Sequence, residues 1–388
     1  MIFLLPLKRV LLGACCAMAA FHSQVQAQAQ MPQAPEIAAR AYLLLDVTAN
    51  QILAEKDIDS PVEPASLTKL MTAYLVFDAL HQKKLSLTQR LRVPERAWKA
   101  EGSRMFIEPG APVPAEDLLR GLIVQSGNDA AVALAIAVAG NEGEFIARMN
   151  REAKRLGMND TQFLNPTGLS QQGHYSTAHD LAVLSLALLR DFPQYARFYA
   201  EKSFTHGRIT QENRNRLLFL DPTVDGLKTG HTEAAGYCLI ATAKRGDADK
   251  ARRLISVVLG TNSDVARMQE SQKLLNYGYQ FFDAQRLYKR NDPVATLEIF
   301  KGAQNNVKLG FERDMWLTLP KDKFANLKAT LSTQQPMMAP LLKGQKAGVM
   351  KLTQNDKLIA ELPVVALEDV PLAGVLGRGW DAIRLLFK

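Results

Sequence analysis

The sequence predicts an α+β domain followed by a small all-β domain and a C-terminal amphipathic helix. Strand-like segments lie near both ends of residues 38–286 and flank a helical middle, which predicts one antiparallel sheet packed against a cluster of helices. From about Pro293 onward, short apolar segments recur at intervals of roughly ten residues with turn residues between them, which is typical of an all-β domain. Residues 371–388 combine aromatic and basic residues at helical spacing.

The first domain begins with a predicted hairpin, RAYLLLDVTANQILAEKD, in which a polar turn separates two strand-like segments. Apolar residues then recur with helical periodicity in PASLTKLMTAYLVFDAL, AEDLLRGLIVQS, DAAVALAIAVAG, EGEFIARMNREAKRLG and TAHDLAVLSLALLRDF. Two further strands are predicted in GYCLIATAKRGD and RLISVVLG, with a turn around Gly246, before a last helix in SDVARMQESQKLLNYGYQFFD. The sheet is therefore expected to combine strands from both ends of the domain.

The second domain is expected at residues 287–370. Its predicted strands lie in VATLEIFKG, NVKLGFE, MWLTLPK, NLKATLS, GQKAGVMKLT and KLIAELPVV. This segment contains no cluster of metal-ligand residues and no obvious pairing of a nucleophile with a base. We therefore interpret it as a spacer or a binding module.

The C-terminal segment, residues 371–388, has two interpretations. Near one helical face lie the residues Leu372, Val375, Leu376, Trp380, Ile383 and Phe387, with Arg378, Asp381, Arg384 and Lys388 largely opposite. A basic amphipathic helix with Trp and Phe is typical of an anchor that lies in the plane of a membrane surface. The alternative is a helix packed on the all-β domain or against a second copy of the chain. We predict the anchor, because a terminal basic segment is easily left free to meet lipid.

Residues 1–27 have the layout of a secretory signal peptide. Two basic residues, Lys8 and Arg9, precede an apolar stretch that ends in small residues and is too short to span a membrane. A lipoprotein signal at residues 12–15 is the alternative, but it would cut the apolar stretch almost at its start. Residues 28–37 are rich in Gln, Ala and Pro and are expected to form a flexible tail before the first domain.

The chain of 388 residues has a formal net charge of +8, and loss of Lys8 and Arg9 with the signal would leave +6. For an exported protein this charge favours an anionic wall polymer or a membrane surface as partner. Nucleic acid is not expected, because the sequence has no Lys/Arg cluster with interleaved aromatic residues. Of three cysteines only Cys238 lies outside the signal, and its setting in GYCLIATA indicates a small buried strand residue and not a nucleophile.

Chemistry is first indicated by Lys69, which lies three residues after Ser66 at the start of an otherwise apolar helix. Residues three apart share a helical face, so the amine and the hydroxyl can meet. Burial favours the neutral amine, and the positive end of the helix dipole acts in the same direction. A neutral amine beside a serine is a general base beside a nucleophile. The pattern alone is weak, because about one Ser-x-x-Lys is expected by chance in a chain of this length.

Two further motifs strengthen this interpretation. Ser126 and Asn128 lie in QSGNDAA, in the predicted break between two helices, and Lys228, Thr229 and Gly230 lie at the predicted start of a strand in VDGLKTGHTEAAGY. The second serine offers a proton path, the asparagine an amide for a peptide backbone, and the second lysine a charge for an anion. Gly230 is expected to let a substrate chain approach the strand edge closely. Separately the motifs could be a capping turn and a hairpin end, but all three in this order are difficult to obtain by chance.

Ser-x-x-Lys, Ser-x-Asn and Lys-Thr-Gly in this order resemble the signature of penicillin-binding proteins and serine β-lactamases. Longer segments are similar to exported serine D-alanyl-D-alanine carboxypeptidases of low molecular mass, above all the penicillin-binding protein 5 subfamily: PASLTKLMTAYLVFDAL, LLRGLIVQSGNDAAVALA, NPTGL and VDGLKTGHTEAAGYCLIATA. The resemblance runs from about Arg40 to the C-terminus. It implies a DD-peptidase/β-lactamase-like catalytic domain at residues 38–286, a β-rich domain, and a peripheral anchor at the periplasmic face of the bacterial inner membrane.

The resemblance also implies how the matching residues act. Ser66 would attack the carbonyl between the last two D-alanines of a peptidoglycan stem peptide, with Lys69 as the base. Ser126 and Lys228 would relay a proton towards the leaving D-alanine. Backbone N–H groups of Ser66 and His231 would form the oxyanion hole. Water would then release the acyl group, and β-lactam antibiotics would acylate the same serine.

Substrate binding is implied for Asn128, which would hold the substrate amide, and for Thr229, which would grip the terminal carboxylate. Arg214 in ENRNRL and Arg267 in TNSDVARM would help to bind that carboxylate. The His231 side chain is not expected to act as a base, because the sequence places no aspartate to orient it.

No metal or other cofactor is expected. His174 and His179 are the nearest pair among the six histidines, and they lack the spacing and the third ligand of a zinc site.

Three other functions stay open from the sequence. A class A β-lactamase would use a Glu in deacylation, usually within Glu-x-x-Leu-Asn, which we do not find, and its middle motif would be Ser-Asp-Asn. A DD-endopeptidase that cleaves cross-links would use the same residues. A non-catalytic wall scaffold would not need a buried lysine beside Ser66.

Overall fold

The computed structural model describes residues 32–246, 251–321 and 323–386. The predicted signal peptide lies outside the described residues, as does the chain just after Gly246. The predicted flexible tail, 28–37, is described only from residue 32, and its end corrects our expectation. Ile37 is 4% exposed and packs in an apolar cluster of the first domain, while the Lys273 ammonium donates to the Glu36 carbonyl at 3.0 Å. The tail is therefore anchored at its C-terminal end by burial of an apolar side chain.

The first domain combines helices and strands, as predicted. Its helices are α1 (Lys69–His81), α2 (Glu95–Trp98), α3 (Ala115–Val124), α4 (Asn128–Ala139), α5 (Glu142–Leu156), α6 (Ala178–Asp191), α7 (Leu217–Leu220) and α8 (Asp264–Phe281). Its strands are β1 (Ala41–Asp46), β2 (Gln51–Lys56), β3 (Arg90–Arg92), β4 (Pro112–Pro114), β5 (Ser203–His206), β6 (Ile209–Glu212), β7 (Val224–Thr232), β8 (Gly236–Arg245) and β9 (Arg252–Thr261).

The main sheet has the strand order β2-β1-β9-β8-β7 and is antiparallel throughout. Strands from both ends of the domain therefore meet in one sheet, as predicted. Alternate side chains of a strand point to opposite faces. Leu43 faces the cluster formed with α1 and α3–α6, whereas Leu44 faces the cluster formed with α8. Because helices cover both faces, the central strands are almost continuously apolar in sequence.

α1 lies in the middle of the helical cluster, and 11 of its 13 residues are buried. Burial on all sides explains why its sequence lacks a polar face. The helix begins at Lys69, after a 3₁₀ turn at Ala65–Thr68, so Ser66 is not in the α-helix as the spacing argument assumed. A 3₁₀ turn has about three residues per turn, so Ser66 and Lys69 still point to the same side.

The all-β domain contains the strands β10 (Phe282–Tyr288), β11 (Pro293–Phe300), β12 (Asn306–Gly310), β13 (Met315–Pro320), β14 (Leu327–Thr333), β15 (Met337–Met338), β16 (Lys346–Gln354) and β17 (Lys357–Ala366). A six-stranded sheet has the order β14-β16-β17-β12-β11-β15, and β10 pairs with β13. The sequence patterns missed β10, and the expected boundary between residues 286 and 287 falls inside it. That boundary stays a prediction.

A buried ion pair joins the two domains. Asp46 of β1 is fully buried, and its Oδ2 accepts hydrogen bonds from Arg252 Nε at 2.6 Å and from Thr318 Oγ1 of β13 at 2.7 Å. Arg252 also donates to the carbonyl oxygens of Gly278 and Phe282 at 2.9 and 2.7 Å. One carboxylate and one guanidinium therefore connect the main sheet, the end of α8 and the all-β domain.

The C-terminal segment forms α9 (Val375–Leu385), and Phe387 and Lys388 of the predicted helix lie outside the described residues. Its polar side packs on the all-β domain. Asp381 accepts from the Lys301 backbone N–H at 2.6 Å, and Arg384 pairs with Glu298. Exposed apolar side chains are contributed by Leu372, Val375, Leu376, Trp380, Ile383 and Leu386. Among the described residues no single helix is long and apolar enough to cross a membrane. Within the same residues, α4 and α5 reach the required length and hydropathy only when taken together, and the two helices are bent by 85° at their junction.

Candidate active site

Seven of the ten predicted site residues line one open cavity of about 930 Å³: Ser66, Ser126, Arg214, Thr229, Gly230, His231 and Arg267. The other three, Lys69, Asn128 and Lys228, are between 1% and 4% exposed. Hydrogen bonds connect two of these buried residues directly to each other, as described below. Motifs that are far apart in sequence therefore meet where the 3₁₀ turn, the α3–α4 connection and the edge strand β7 converge.

The turn that bears Ser66 requires two close glycine contacts. Ala65 has φ +47°, in the left-handed region, and a Cβ on Gly230 would lie 3.2 Å from Ala65 Cβ. A Cβ on Gly168 would lie 1.7 Å from the Ala65 carbonyl oxygen. We expected Gly230 to make room for a substrate chain, but its missing side chain makes room for the turn of the nucleophile. Contact between Gly230 and substrate stays a prediction.

Lys69 is 1% exposed and has three polar neighbours. Its Nζ lies 2.6 Å from Asn128 Oδ1, 2.6 Å from the Thr167 carbonyl oxygen and 3.1 Å from Ser66 Oγ. A neutral amine has two N–H donors and one lone pair. Because the first two oxygens can only accept, they take the two N–H groups and leave the lone pair for the Ser66 hydroxyl proton. This is the geometry of a general base beside a nucleophile.

The surroundings of Lys69 favour its neutral form. Burial is the main cause that lowers its pKa from 10.5 to about 7, and the Arg214 guanidinium acts in the same direction. The Asp129 carboxylate acts in the opposite direction. A substantial fraction of this amine is therefore neutral near pH 7, which an exposed lysine would not be.

Ser126 and Asn128 lie where α3 ends and α4 begins, as predicted. Ser126 has φ +61°, and its buried Oγ has no hydrogen-bond partner among the described residues. An unpaired hydroxyl at the cavity wall is available for a proton transfer. Asn128 is already engaged, because its Oδ1 accepts from Lys69 and its Nδ2 donates to the Glu101 carbonyl at 2.6 Å. In this structure Asn128 positions the base, and its contact with a substrate amide stays a prediction.

Asp129 is a buried acidic residue beside the site that the motif analysis did not single out. It is 1% exposed, and its carboxylate accepts backbone N–H bonds from Met105, Phe106 and Ile107 at 3.0, 2.9 and 3.3 Å. These bonds hold the segment that contributes Ser103 to the cavity wall. The signal in the sequence was an acidic residue directly after Ser-Gly-Asn, which by itself indicates only a helix N-terminus.

The segment NPTGL was also given no role, although it supplies the Thr167 carbonyl to Lys69. Asn165 Oδ1 accepts from the backbone N–H groups of Thr167 and Gly168 at 3.2 and 2.7 Å, which folds the segment into a tight turn. The Pro166 carbonyl accepts from Thr72 on the next turn of α1 at 2.7 Å. Asn-Pro predicts a turn. Nothing in the sequence indicates that its carbonyls face α1.

Lys228 and Thr229 lie in the interior of β7 and not at its start, where we predicted them. β7 is the edge strand of the main sheet, so one of its edges faces the cavity. Lys228 Nζ donates to the Thr229 carbonyl at 3.0 Å. Burial is the main cause that holds the pKa of Lys228 well below its ordinary value, followed by the charges of Lys69 and Arg214. Both buried lysines of the site therefore lose their proton more readily than an exposed lysine would.

His231 lines the cavity, and its ring packs against Tyr237 with 4.0 Å between ring centroids. Among the described residues its ring has no hydrogen bond to a carboxylate. The structure therefore gives this side chain a packing partner and no orienting acid.

Two arginines give one end of the cavity a positive charge. Arg267 is 6% exposed, pairs with Asp264, and donates to the Gly230 carbonyl at 3.2 Å. Arg214 lines the same cavity and is exposed. A carboxylate bound here would lie beside Thr229 and near the nucleophile. The site therefore combines a serine beside a buried lysine with two arginines on the wall of the same cavity, an arrangement that would suit acyl transfer from a substrate that ends in a carboxylate. Within the described residues no group of three His, Cys, Asp or Glu side chains is placed to hold a metal.

Comparison with known proteins agrees with this geometry. Residues 28–263 match the model of the D-alanyl-D-alanine carboxypeptidase family, and residues 282–372 match that of the penicillin-binding protein 5 C-terminal domain. The D-alanyl-D-alanine carboxypeptidase DacC of Escherichia coli K12 is 42% identical over 366 residues, which cover 92% of this chain and 90% of that protein.

Solved structures show the same similarity. Penicillin-binding protein 5 from Haemophilus influenzae has a TM-score of 0.84 and 38% identity, covering 88% of this chain and 99% of that one. Penicillin-binding protein D2 from Listeria monocytogenes, solved in an ampicillin-bound form, has a TM-score of 0.58 and 32% identity, covering 64% of this chain and 100% of that one. The resemblance inferred from the motifs is confirmed, and the chain belongs to the D-alanyl-D-alanine carboxypeptidase family.

Proposed function

We propose that this protein is an exported serine carboxypeptidase that removes the terminal D-alanine from peptidoglycan stem peptides through an acyl-enzyme at Ser66. The observation that supports this most directly is the contact between Lys69 Nζ and Ser66 Oγ at 3.1 Å, with a lysine pKa of about 7. The family of the chain and the names of its relatives identify the substrate class as peptides that end in D-Ala-D-Ala.

In acylation, Lys69 takes the hydroxyl proton while Ser66 Oγ attacks the carbonyl carbon of the penultimate D-alanine. Backbone N–H groups of Ser66 and His231 are proposed to stabilise the oxyanion that forms. The bond from this carbon to the terminal amide nitrogen then breaks. The leaving nitrogen receives a proton through the Ser126 hydroxyl, whose unpaired Oγ supports this relay, with Lys228 as the next proton donor. D-alanine leaves and an ester at Ser66 remains.

In deacylation, water attacks the same carbonyl carbon and its proton passes to a neutral lysine. The ester bond breaks, Ser66 regains its proton, and the shortened peptide leaves with a new carboxylate. Thr229, Arg214 and Arg267 are proposed to bind the substrate carboxylate. The positions of these three residues around one cavity support that role. β-Lactams carry a carboxylate beside a reactive amide, and we propose that they acylate Ser66 in the same pocket.

The proposed activity is tested by D-alanine release from a peptide that ends in D-Ala-D-Ala, with the purified protein and its Ser66→Ala variant. We expect release by the parent and none above background by the variant, because the variant has no nucleophile. The Ser66→Ala variant is expected to keep its fold, because Ser66 is only half-buried and alanine is smaller than serine. Absence of release by both proteins would contradict the proposal, and cleavage of a cross-linked dimer by the parent would then identify an endopeptidase.

We also propose that α9 binds the surface of the inner membrane from the periplasmic side. Leu376 is 91% exposed, Val375 76% and Trp380 65%, although the same helix packs its Asp381 side on the all-β domain. An amphipathic helix on a soluble domain normally does the reverse and buries its apolar face. The exposed apolar face, together with basic residues such as Arg378, supports a lipid surface as its partner.

Membrane binding is tested by sedimentation of the full-length protein with vesicles of phosphatidylethanolamine and phosphatidylglycerol. We expect the parent to sediment with the vesicles, and Leu376→Glu to remain largely in the supernatant because a charge would enter the apolar layer. Leu342→Glu is the matched control, since Leu342 is 64% exposed on another part of the all-β domain. Equal sedimentation of the parent and Leu376→Glu would contradict the anchor.

A further inference from the structure

His174 is a buried histidine for which the proposed reaction has no use. It is 3% exposed and belongs to none of the three motifs. Burial lowers its pKa to about 4, against a smaller opposing effect of Glu63, so it is neutral near pH 7. A buried neutral imidazole needs a donor and an acceptor as partners.

Both ring nitrogens of His174 have partners, and these fix the tautomer. Nδ1 accepts from the Leu164 backbone N–H at 3.2 Å and faces the Asn165 amide nitrogen at 3.3 Å. Because Nδ1 accepts, Nε2 carries the proton and donates to Thr68 Oγ1 at 2.9 Å. The ring therefore bridges the start of the NPTGL segment and the residue just before the base.

Each partner of His174 leads to Lys69. Thr68 is the last residue of the 3₁₀ turn that bears Ser66, and Lys69 follows it. Asn165 holds the turn that presents the Thr167 carbonyl, which accepts from Lys69 Nζ at 2.6 Å. The His174 imidazole therefore contacts both elements that position the Lys69 amine. One is the backbone turn that leads into Lys69, and the other is the segment that bears the Thr167 carbonyl.

We propose that His174 is a positioning residue that holds the Thr167 carbonyl against Lys69 and so directs the amine lone pair towards Ser66. The inference rests on the proposed function, since it assigns His174 a role in the same acylation step. It acts without touching the substrate, because His174 does not line the cavity. Loss of the bridge lets the Thr167 carbonyl move, and the amine then loses its fixed direction.

The test measures acylation by a fluorescent penicillin in stopped flow, which separates the acylation rate constant from the dissociation constant of the first complex. We expect His174→Ala to lower the rate constant by about 10- to 100-fold, since a displacement of about 1 Å can have such an effect, with the dissociation constant nearly unchanged. His174→Gln should recover most of the rate, because glutamine offers one donor and one acceptor. Thr68→Val should also slow acylation, because it keeps the shape of the side chain but removes the oxygen that Nε2 contacts.

Phe145→Leu is the control for lost stability, since it opens a cavity at a buried residue of α5 that is not one of the hydrogen-bond partners of the His174 ring. A His174→Ala protein that is folded and acylated at the parental rate would overturn the proposal. So would equal rates for His174→Ala and His174→Gln, or an equally slow Phe145→Leu. A parent that is not acylated at all would overturn the proposed function itself, and the two failures are therefore distinguishable.

Discussion

Replacement of Lys69 by arginine is expected to give a folded protein that releases no measurable D-alanine. A guanidinium stays charged at every pH in which the protein is folded, so it cannot accept the Ser66 proton. It also cannot reproduce the arrangement in which two N–H groups bind Asn128 and Thr167 and one lone pair is free. D-alanine release and penicillin acylation measure the effect, and circular dichroism and thermal unfolding verify the fold.

Lys69→Met is the matched control for charge, because methionine has a similar length and no ionisable group. It should be as inactive as Lys69→Arg but more stable, since no permanent charge is buried. Substantial turnover by either variant would exclude Lys69 as the base.

The pH dependence of acylation follows from the same residue. Only the neutral amine can act as base, and its pKa is about 7, so the acylation rate should rise with pH through this value and level off above it. Below the midpoint the rate should fall about tenfold per pH unit, as the neutral fraction does. Arg214→Gln should move the midpoint upward, because the Arg214 charge lowers the lysine pKa. A rate that is constant from pH 5 to pH 8 would contradict this assignment.

The second large effect is expected at the domain junction. Asp46→Ala would leave the buried Arg252 guanidinium without its carboxylate, which typically costs about 3–5 kcal/mol of unfolding free energy. Thr48 and Ala49 would also lose the oxygen that accepts their backbone N–H bonds at 2.9 and 3.3 Å. Chemical denaturation of parent and variant measures the loss.

Asp225→Ala provides the comparison. Arg253, which follows Arg252 in β9, forms an ion pair with Asp225 of β7 at 2.6 Å. Their side chains are 22% and 38% exposed, so solvent screens this pair. We expect a loss of about 1 kcal/mol or less. A loss for Asp46→Ala as small as for Asp225→Ala would show that the buried pair contributes little to the stability of the junction.

Much of the fold was predictable because local patterns record burial. α1 is apolar all round since it lies between other helices, and β8 and β9 are continuously apolar since helices cover both faces of the sheet. β10 was missed because its sequence, FDAQRLY, directly continues α8 without a turn residue. The side of the sheet on which α8 packs was equally hidden, since it depends on contacts between residues that are far apart in sequence.

The site was predictable only where side chains act. Ser66, Lys69 and Ser126 were found because hydroxyls and amines at fixed spacings indicate a chemistry. Thr167 was not, because it contributes a backbone carbonyl, and every residue has one. Gly230 was recognised as a place where space is needed, and its predicted contact with substrate stays a prediction. Its packing against the turn at Ala65 was not foreseen, since a sequence does not show which neighbour occupies that space.

The junction at Asp46, Arg252 and Thr318 has a consequence for how the enzyme would meet its substrate. The Asp46 carboxylate joins β1 and β9 to β13 of the all-β domain, and α9 packs on that same domain through Asp381 and Arg384. If α9 binds lipid, the all-β domain is a spacer that sets the distance between the catalytic cavity and the membrane surface. Under the proposal that α9 binds lipid, the enzyme would reach only those stem peptides that lie at this distance from the membrane.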